Sequence, residues 1–483
     1  MERNYEFRNR LREVHRSNIR DPKAPKGPQT IVLDDSYRIA IPSHCSPVVE
    51  TAALDLQHYL YASMDVSVSV RRYDSLPAEG HLIVMDIARE EAASVADSVS
   101  FQCTIDCAPG RIEIRGADDR GCAQGCYHLE DLMNQRLAPY LEPGQRVYHR
   151  AFSPRMVHSG YGLDNYPDAH LSAIAHAGMD AILIFVRDVD RVPQGYLDFN
   201  ELIARAARYG LDVYAYSYYA SNMHPRDEGA YAHYDSSYGK LFRSCPGLKG
   251  VVLVGESVEF PSRDPRVTKK KYYDNTEEGV HTGVPTAGWF PCEDYGEWIS
   301  MVKRVIHDNN PDADIVFWTY NWGYAPAEDR LKLIDSLPKD ISLMVTFEMF
   351  AQRELNGLQV ATVDYTLSFP GPSAYFLSEA RRAKERGLRL YTQANSAGLT
   401  WDFGVIPFEP FPQQWVKRYE GMLQAREAYG LSGVMESHHY GFWPSFISRI
   451  EKMMFTQPGM TGEQAIALAA EAAFGPEHRD RGI

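Results

Sequence analysis

Apolar and polar positions follow two different rhythms along this chain. From Pro154 to Gly441 a short apolar run is followed by a polar loop and an amphipathic segment, and the unit recurs eight times. The runs are RMVHSGYG, DAILIFVR, LDVYAYSYY, KGVVLVGES, ADIVFWTYNW, ISLMVTFEMF, LRLYTQANS and SGVMESHHYG. Between them, YPDAHLSAIAHAG, DFNELIARAARYG, EDYGEWISMVKRVIHDNN, AEDRLKLIDS, PSAYFLSEARRAKERG and PQQWVKRYEGMLQAREAYG carry apolar residues at helical spacing. Nearly continuous apolar strands alternating with helices imply parallel pairing covered on both faces. The pattern predicts a closed (β/α)8 TIM barrel over residues 151–441. An open doubly wound sheet is the alternative, but no G-x-G-x-x-G follows any of the runs.

Before the barrel the rhythm is mixed. TIVLDDS, HLIVMDI, FQCTIDC and RIEIRGAD read as strands, and SPVVETAALDLQHYLYAS and GCAQGCYHLEDLMNQ as helices, so residues 28–150 are expected to form a small α/β domain. Residues 1–27 are polar and read as an N-terminal extension. Residues 442–483, with ISRIEKMMF and TGEQAIALAAEAAFG, read as a short helical tail.

Composition narrows the function. Fifty Lys and Arg against sixty-four Asp and Glu leave a net charge of −14, which lacks the basic footprint of nucleic-acid binding. The start of the chain has no apolar core of the signal-peptide kind and no long apolar span follows, so a cytoplasmic protein off the membrane is expected. The pairs Cys103/Cys107 and Cys122/Cys126 are spaced four apart with no His pair nearby, which favours buried thiols over a metal site; no metal and no cofactor are expected. Tyrosine, at 30 residues, outnumbers phenylalanine at 20, an excess of polar-tipped rings that suits surfaces gripping sugars.

In a barrel of this kind the site is built at the C-terminal ends of the strands. The residues closing the runs are His158 and Tyr161; Arg187 and Asp188; Tyr218 and Tyr219; Glu256; Trp318, Tyr320, Asn321 and Trp322; Glu348; Gln393 and Asn395; and Glu436, His438 and His439. The fourth, sixth and eighth runs thus end on carboxylates, and strand ends two apart stand roughly 9 Å from each other along the wall. Two carboxyls at such a separation, one protonated and one ionised, are the equipment of glycoside hydrolysis. Glu256 follows the apolar VVLVG and is the acid candidate; Glu348 is the second carboxylate, with Glu436 as its substitute. The aromatic stretch WTYNWGY and Trp401 suit stacking on sugar faces, and Arg187 could hold an anionic group. The long loop from Ser257 to Pro291 reads as a lid or binding loop.

The segment IEIRGADDRGCAQGCYHLEDLM resembles the end of the small α/β domain that precedes the catalytic barrel in the β-N-acetylhexosaminidase and α-glucuronidase families. GVVLVGES is similar to the fourth-strand segment that carries the general acid in the α-glucuronidases, which implies that role for Glu256; ISLMVTFEMF corresponds to the sixth strand, which makes Glu348 a candidate base. Asn395 stands near the place where those enzymes carry a second acidic residue. Gly255 stands where substrate-assisted hexosaminidases carry the Asp that orients the acetamido group.

The expected function is therefore a glycosidase of carbohydrate metabolism that removes a terminal sugar, a uronic acid or an N-acetylhexosamine, from an oligosaccharide or glycoside. Its substrate contacts would come from His158, Tyr161, Arg187, Tyr218, Trp318, Tyr320, Asn321, Trp322, Asn395, Trp401 and His438. Two other classes stay open at this point. One is a divalent-metal sugar isomerase or epimerase using His158, Glu256, Glu348 and His438, and the other is a non-catalytic carbohydrate-binding barrel. The oligomeric state is open as well, a homo-oligomer included.

Overall fold

The computed structural model describes residues 14–87, 100–158, 165–217, 219, 221–255, 260–267, 276–277, 280–281, 290–362, 365–398, 400, 402, 409–438 and 441–475. All eight apolar runs become strands of one closed parallel barrel: Arg155–His158, Ala181–Val186, Asp212–Ser217, Gly250–Val254, Asp314–Trp318, Ser342–Thr346, Arg389–Gln393 and Leu431–Ser437, in sequence order around the wall. Closure is made by the last strand pairing with the first, Val434 opposite Arg155.

Alternate residues face inward and pack on one another. Met156, Leu183, Phe185, Tyr214, Tyr216, Val252, Val316, Trp318, Met344, Tyr391 and Met435 form a core inside the wall, so the barrel is filled rather than hollow. The intervening residues pack outward against the helices. At the floor, buried Asp314 accepts hydrogen bonds from Ser342 Oγ at 2.8 Å, Tyr391 Oη at 2.9 Å, Tyr214 Oη at 3.3 Å and the Arg389 guanidinium at 2.9 Å. This network ties the start of the fifth strand to the third, sixth and seventh.

The N-terminal domain is a six-stranded mixed sheet in the order Ser69–Tyr73, Arg38–Pro42, Leu82–Ile87, Arg111–Gly116, Phe101–Ala108, Gly144–His149. The first four are parallel and the last two pair antiparallel. Its helices, Pro47–Met64 and Asp119–Arg136, start on the capping side chains Ser46 and Asp118. The Arg-Gly…Gly motif has a steric reason: a Cβ at Gly121 would lie 2.2 Å from Gln102 O, and one at Gly125 2.3 Å from Ile114 Cγ2, so the helix packs flush on the sheet only with glycine there. Cys103, Cys107, Cys122 and Cys126 are buried free thiols in this core. At the C-terminus, Phe446–Thr456 packs on the barrel helix Pro412–Tyr429, and Gly462–Phe474 reaches the domain helix Asp119–Arg136. Among the described residues no helix is long and apolar enough to cross a membrane.

Three sheet strands and one helical stretch carry no clear signature in the sequence. Ser69–Tyr73 and Gly144–His149 are edge strands, covered on one face at most, and their residues are largely polar. Arg38–Pro42 is short and ends on proline. The third barrel helix is broken into Ala230–Tyr234, a π-turn at Asp235–Gly239 and Lys240–Ser244, and it buries tyrosines rather than a leucine stripe.

Outside the barrel wall Arg155 forms a buried cluster. Its guanidinium is held by Glu436 through both carboxylate oxygens and lies 3.3 Å from Glu451 on Phe446–Thr456, with all three side chains almost wholly buried. Burial and the adjacent Glu436 carboxylate push Glu451 well above the usual carboxylate range. Removing the cation would leave Glu436 buried without compensation. Arg155→Met is expected to cost about 3–5 kcal/mol in denaturant unfolding, and adding Glu436→Gln should recover a large part of that loss.

Candidate functional site

The C-terminal mouth is where the structure brings several of the expected residues together. His438, one residue past the eighth strand, is hydrogen-bonded at Nε2 to Tyr216 Oη at 3.0 Å and at Nδ1 to Tyr365 Oη at 2.7 Å. A neutral imidazole has one donor and one acceptor, so one phenol donates to it while the other accepts from it. Rings surround it: His158 stacks at 5.1 Å, Trp318 meets it edge-on at 4.9 Å, and Tyr320 stacks on Tyr365 at 5.9 Å. Trp318 also donates from Nε1 to Thr346 Oγ1 at 3.1 Å, which fixes its indole within the barrel.

Glu348 lies two residues past the sixth strand with its side chain fully buried. Its Oε1 accepts the Thr366 backbone N–H at 3.2 Å and stands 3.8 Å from Arg418 Nη1. Arg418 is itself buried and donates to the carbonyls of Ala394 at 2.7 Å, Phe369 and Pro370 at 3.1 Å, and Thr366. One guanidinium on the helix Pro412–Tyr429 therefore braces the loops after the sixth and seventh strands around the Glu348 carboxylate. The consecutive residues Tyr365 and Thr366 tie the imidazole and the carboxylate to a single loop.

Asn395 completes this wiring. Its Oδ1 accepts from Gln393 Nε2 at 2.7 Å and from the His438 backbone N–H at 3.0 Å. Among the described residues, Asn395 Nδ2, Gln393 Oε1 and Asn321 Nδ2 are buried at strand ends without a hydrogen-bond partner, a costly arrangement unless a polar ligand meets them. Asn321, Phe350, Tyr365 and Asn395 all hold positive φ, of 67°, 64°, 45° and 43°. Four non-glycine residues in the left-handed region after the fifth, sixth and seventh strands mark backbone strain of the kind stored at working sites.

Two further carboxyls join the mouth that the strand-end rule does not reach. Asp402 accepts from Leu367 N at 2.6 Å and Thr366 Oγ1 at 2.5 Å. Buried Glu409 is bound by Thr400 Oγ1, and burial together with the nearby Asp402 pushes its carboxyl up to about 7. Both sit far past the seventh strand, so no apolar run points to them. Arg418 did leave a trace: it falls on the buried stripe of Trp415, Tyr419 and Met422, where a cation is out of place.

Other expected residues stand elsewhere. Glu436 is not at the mouth; the wall alternation turns it outward into the Arg155 cluster. Trp322 offers no face to a ligand, because it packs among Phe290, Tyr295 and Phe317 and donates from Nε1 to Gly255 O at 3.0 Å. Arg187 is exposed at the end of the second strand, and Asp188 pairs with Lys240 at 3.0 Å. Glu256, Tyr161, Tyr218 and Trp401 lie outside the described residues, as does most of the loop from Ser257 to Pro291.

Neither a family profile nor a curated protein sequence matches the chain. Its structure does have relatives. It is similar to a GH138 enzyme targeting pectin rhamnogalacturonan II, with TM-score 0.58 and 10% identity over 92% of this chain and 54% of that one. It is also similar to the GH20 β-N-acetylhexosaminidase of Streptomyces coelicolor, with TM-score 0.56 and 11% identity over 97% and 96% of the two chains. A GH115 4-O-methyl-α-glucuronidase with specificity for decorated arabinogalactans follows, with TM-score 0.55 and 12% identity over 93% and 61%. The chain spans about half the length of the GH138 enzyme and nearly all of the hexosaminidase. The closed parallel barrel behind a mixed-sheet N-terminal domain is the hexosaminidase and glucuronidase-like fold of these glycoside hydrolases.

Proposed function

We propose that the chain is a glycoside hydrolase that releases a terminal sugar from an oligosaccharide or glycoside by two-carboxyl chemistry at the barrel mouth. The observation that carries this reading is the pairing of a buried, braced Glu348 with orphaned amide groups on Asn395, Gln393 and Asn321, since a polyhydroxylated ligand supplies the partners those amides lack. The rings of His158, Trp318, Tyr320, Tyr365 and His438 pack together at the same end of the barrel. In this mechanism Glu256 protonates the leaving oxygen, and Glu348 activates water or attacks the anomeric carbon.

Gly255 bears on the choice of sugar. A Cβ there would lie 2.2 Å from Trp322 Nε1 and 3.0 Å from Trp318 O, so the residue before Glu256 cannot become an aspartate without displacing a packed tryptophan. An acetamido-orienting carboxylate is thus sterically excluded at that position. This favours a uronic acid, whose carboxylate Arg187 would meet, over an N-acetylhexosamine cleaved with assistance from its own acetamido group.

Glu256→Gln and Glu348→Gln are each expected to reduce turnover of unactivated glycosides by about 10²–10⁴-fold with an unchanged circular-dichroism spectrum. Rates close to wild type in either variant would remove that residue from the mechanism. Arg187→Met should raise KM for an acidic glycoside by about tenfold while leaving a neutral analogue unaffected. Glu409 gives a pH signature. Its folded-state pKa of about 7 lies above its ordinary 4.5, so the stability it contributes is complete below about 4.5 and is lost as pH rises through 7. Glu409→Gln should flatten the decline in unfolding free energy across that window, and an unchanged pH profile would count against a protonated Glu409.

A further inference from the structure

A second grouping of reactive side chains lies far from the mouth in the fold, where the N-terminal segment, the α/β domain and the barrel meet. It comprises His15, Asp55 on Pro47–Met64, Glu130 on Asp119–Arg136 and His176 at the end of the barrel helix Asp168–His176. We propose that these four side chains form a structural site for a divalent transition metal, with zinc the ion the donor set suits best.

The spacing is the first argument. His176 Nε2 lies 2.9 Å from Asp55 Oδ2 and 3.2 Å from Glu130 Oε2, His15 Nε2 lies 3.2 Å from Asp55 Oδ1, and one ligand atom from each residue falls within 4.8 Å of every other. Four ligands placed about 2.0–2.2 Å from a tetrahedral centre stand about 3.3–3.6 Å apart, close to what these side chains already adopt.

Orientation is the second. Despite those short separations, His15 Nε2, His176 Nε2, Asp55 Oδ2 and Glu130 Oε1 are buried and make no well-aligned hydrogen bond among the described residues. His15 and Glu130 have side chains only 3% exposed, so water does not compensate them. A shared ion between the groups turns the same geometry from four unmet demands into four bonds. His176 is also set up from behind: its Nδ1 is 2.7 Å from Ser172 O one helical turn earlier, so Nδ1 donates to that carbonyl and Nε2 is the nitrogen that faces the carboxylates. A backbone carbonyl behind a ligating imidazole is the usual second support of a metal-bound histidine.

Charge and donor type select the ion. Two carboxylates and two imidazoles that coordinate in their neutral form would carry −2, which a divalent cation cancels. Two nitrogen and two oxygen donors suit zinc, whereas calcium and magnesium want six or more oxygens. Four protein ligands drawn from four separate segments leave no position for substrate, so the role is structural. The ion would clamp the N-terminal segment and the α/β domain to the barrel helix Asp168–His176.

The test uses the purified chain, independent of any sugar substrate. After dialysis against metal-free buffer, mass spectrometry of the metal content should find about one zinc per chain. Exhaustive chelation should lower Tm, and added Zn²⁺ should restore it, with Tm rising with the logarithm of free zinc. Cobalt substitution should give the visible d–d bands of a tetrahedral centre. His15→Gln and Glu130→Gln should each weaken zinc binding by about tenfold or more, whereas His58→Ala, an exposed neighbour 5.4 Å from the His15 ring, should retain it. The proposal is overturned if the wild-type chain binds no zinc at micromolar concentrations, if His15→Gln and Glu130→Gln bind it as tightly as wild type, or if bound zinc leaves Tm unchanged.

Discussion

The whole molecule follows from covering a parallel sheet on both faces. Each barrel strand packs its alternate residues inward against the filled core and outward against helices, so neither side can hold an unpaired polar group without penalty. Polar chemistry is therefore driven to the two ends of the strands. At the floor it is fully satisfied, with four donors converging on Asp314. At the mouth it is left partly unsatisfied, and the backbone there adopts positive φ at four non-glycine residues. One end stabilises the barrel, and the other carries the candidate site.

Buried guanidinium groups organise the layers around this barrel. Arg155 bridges the first and eighth strands to the C-terminal helix through Glu436 and Glu451, Arg330 pairs with Glu379 at 3.0 Å behind the fifth and sixth strands, and Arg418 collects loop carbonyls beside Glu348. The three differ in consequence. Around Arg155 and Arg330 the cation is matched by a carboxylate and the gain is fixed orientation. Arg418 is matched mainly by carbonyl dipoles, so its charge stays available to the nearby Glu348.

The architecture was legible because its signal is periodic. All eight barrel strands stood out as apolar runs, since a strand covered on both faces has to be apolar throughout. The polar-rich edge strands of the N-terminal sheet and the broken third helix escaped for the converse reason. At the mouth, the strand-end rule named His158, Glu348, Asn395 and His438, which the structure brings to one end of the barrel, yet it takes a polar residue closing a run whichever face it has, and Glu436 follows the inward Met435. That is why Glu436 looked like a mouth residue. Asp402 and Glu409 lie far past the seventh strand, and His15, Asp55, Glu130 and His176 come together only through tertiary packing, so neither group leaves a spacing to read.

The imidazole held between two phenols has a consequence for how the mouth responds to its surroundings. Because Tyr216 and Tyr365 occupy both nitrogens of His438, exchanging its tautomer means reversing the direction of two hydrogen bonds at once. The three rings thus behave as one polarised unit with two senses. A ligand that preferred a donor at Tyr216 would thereby set whether Tyr365 offers a proton or a lone pair.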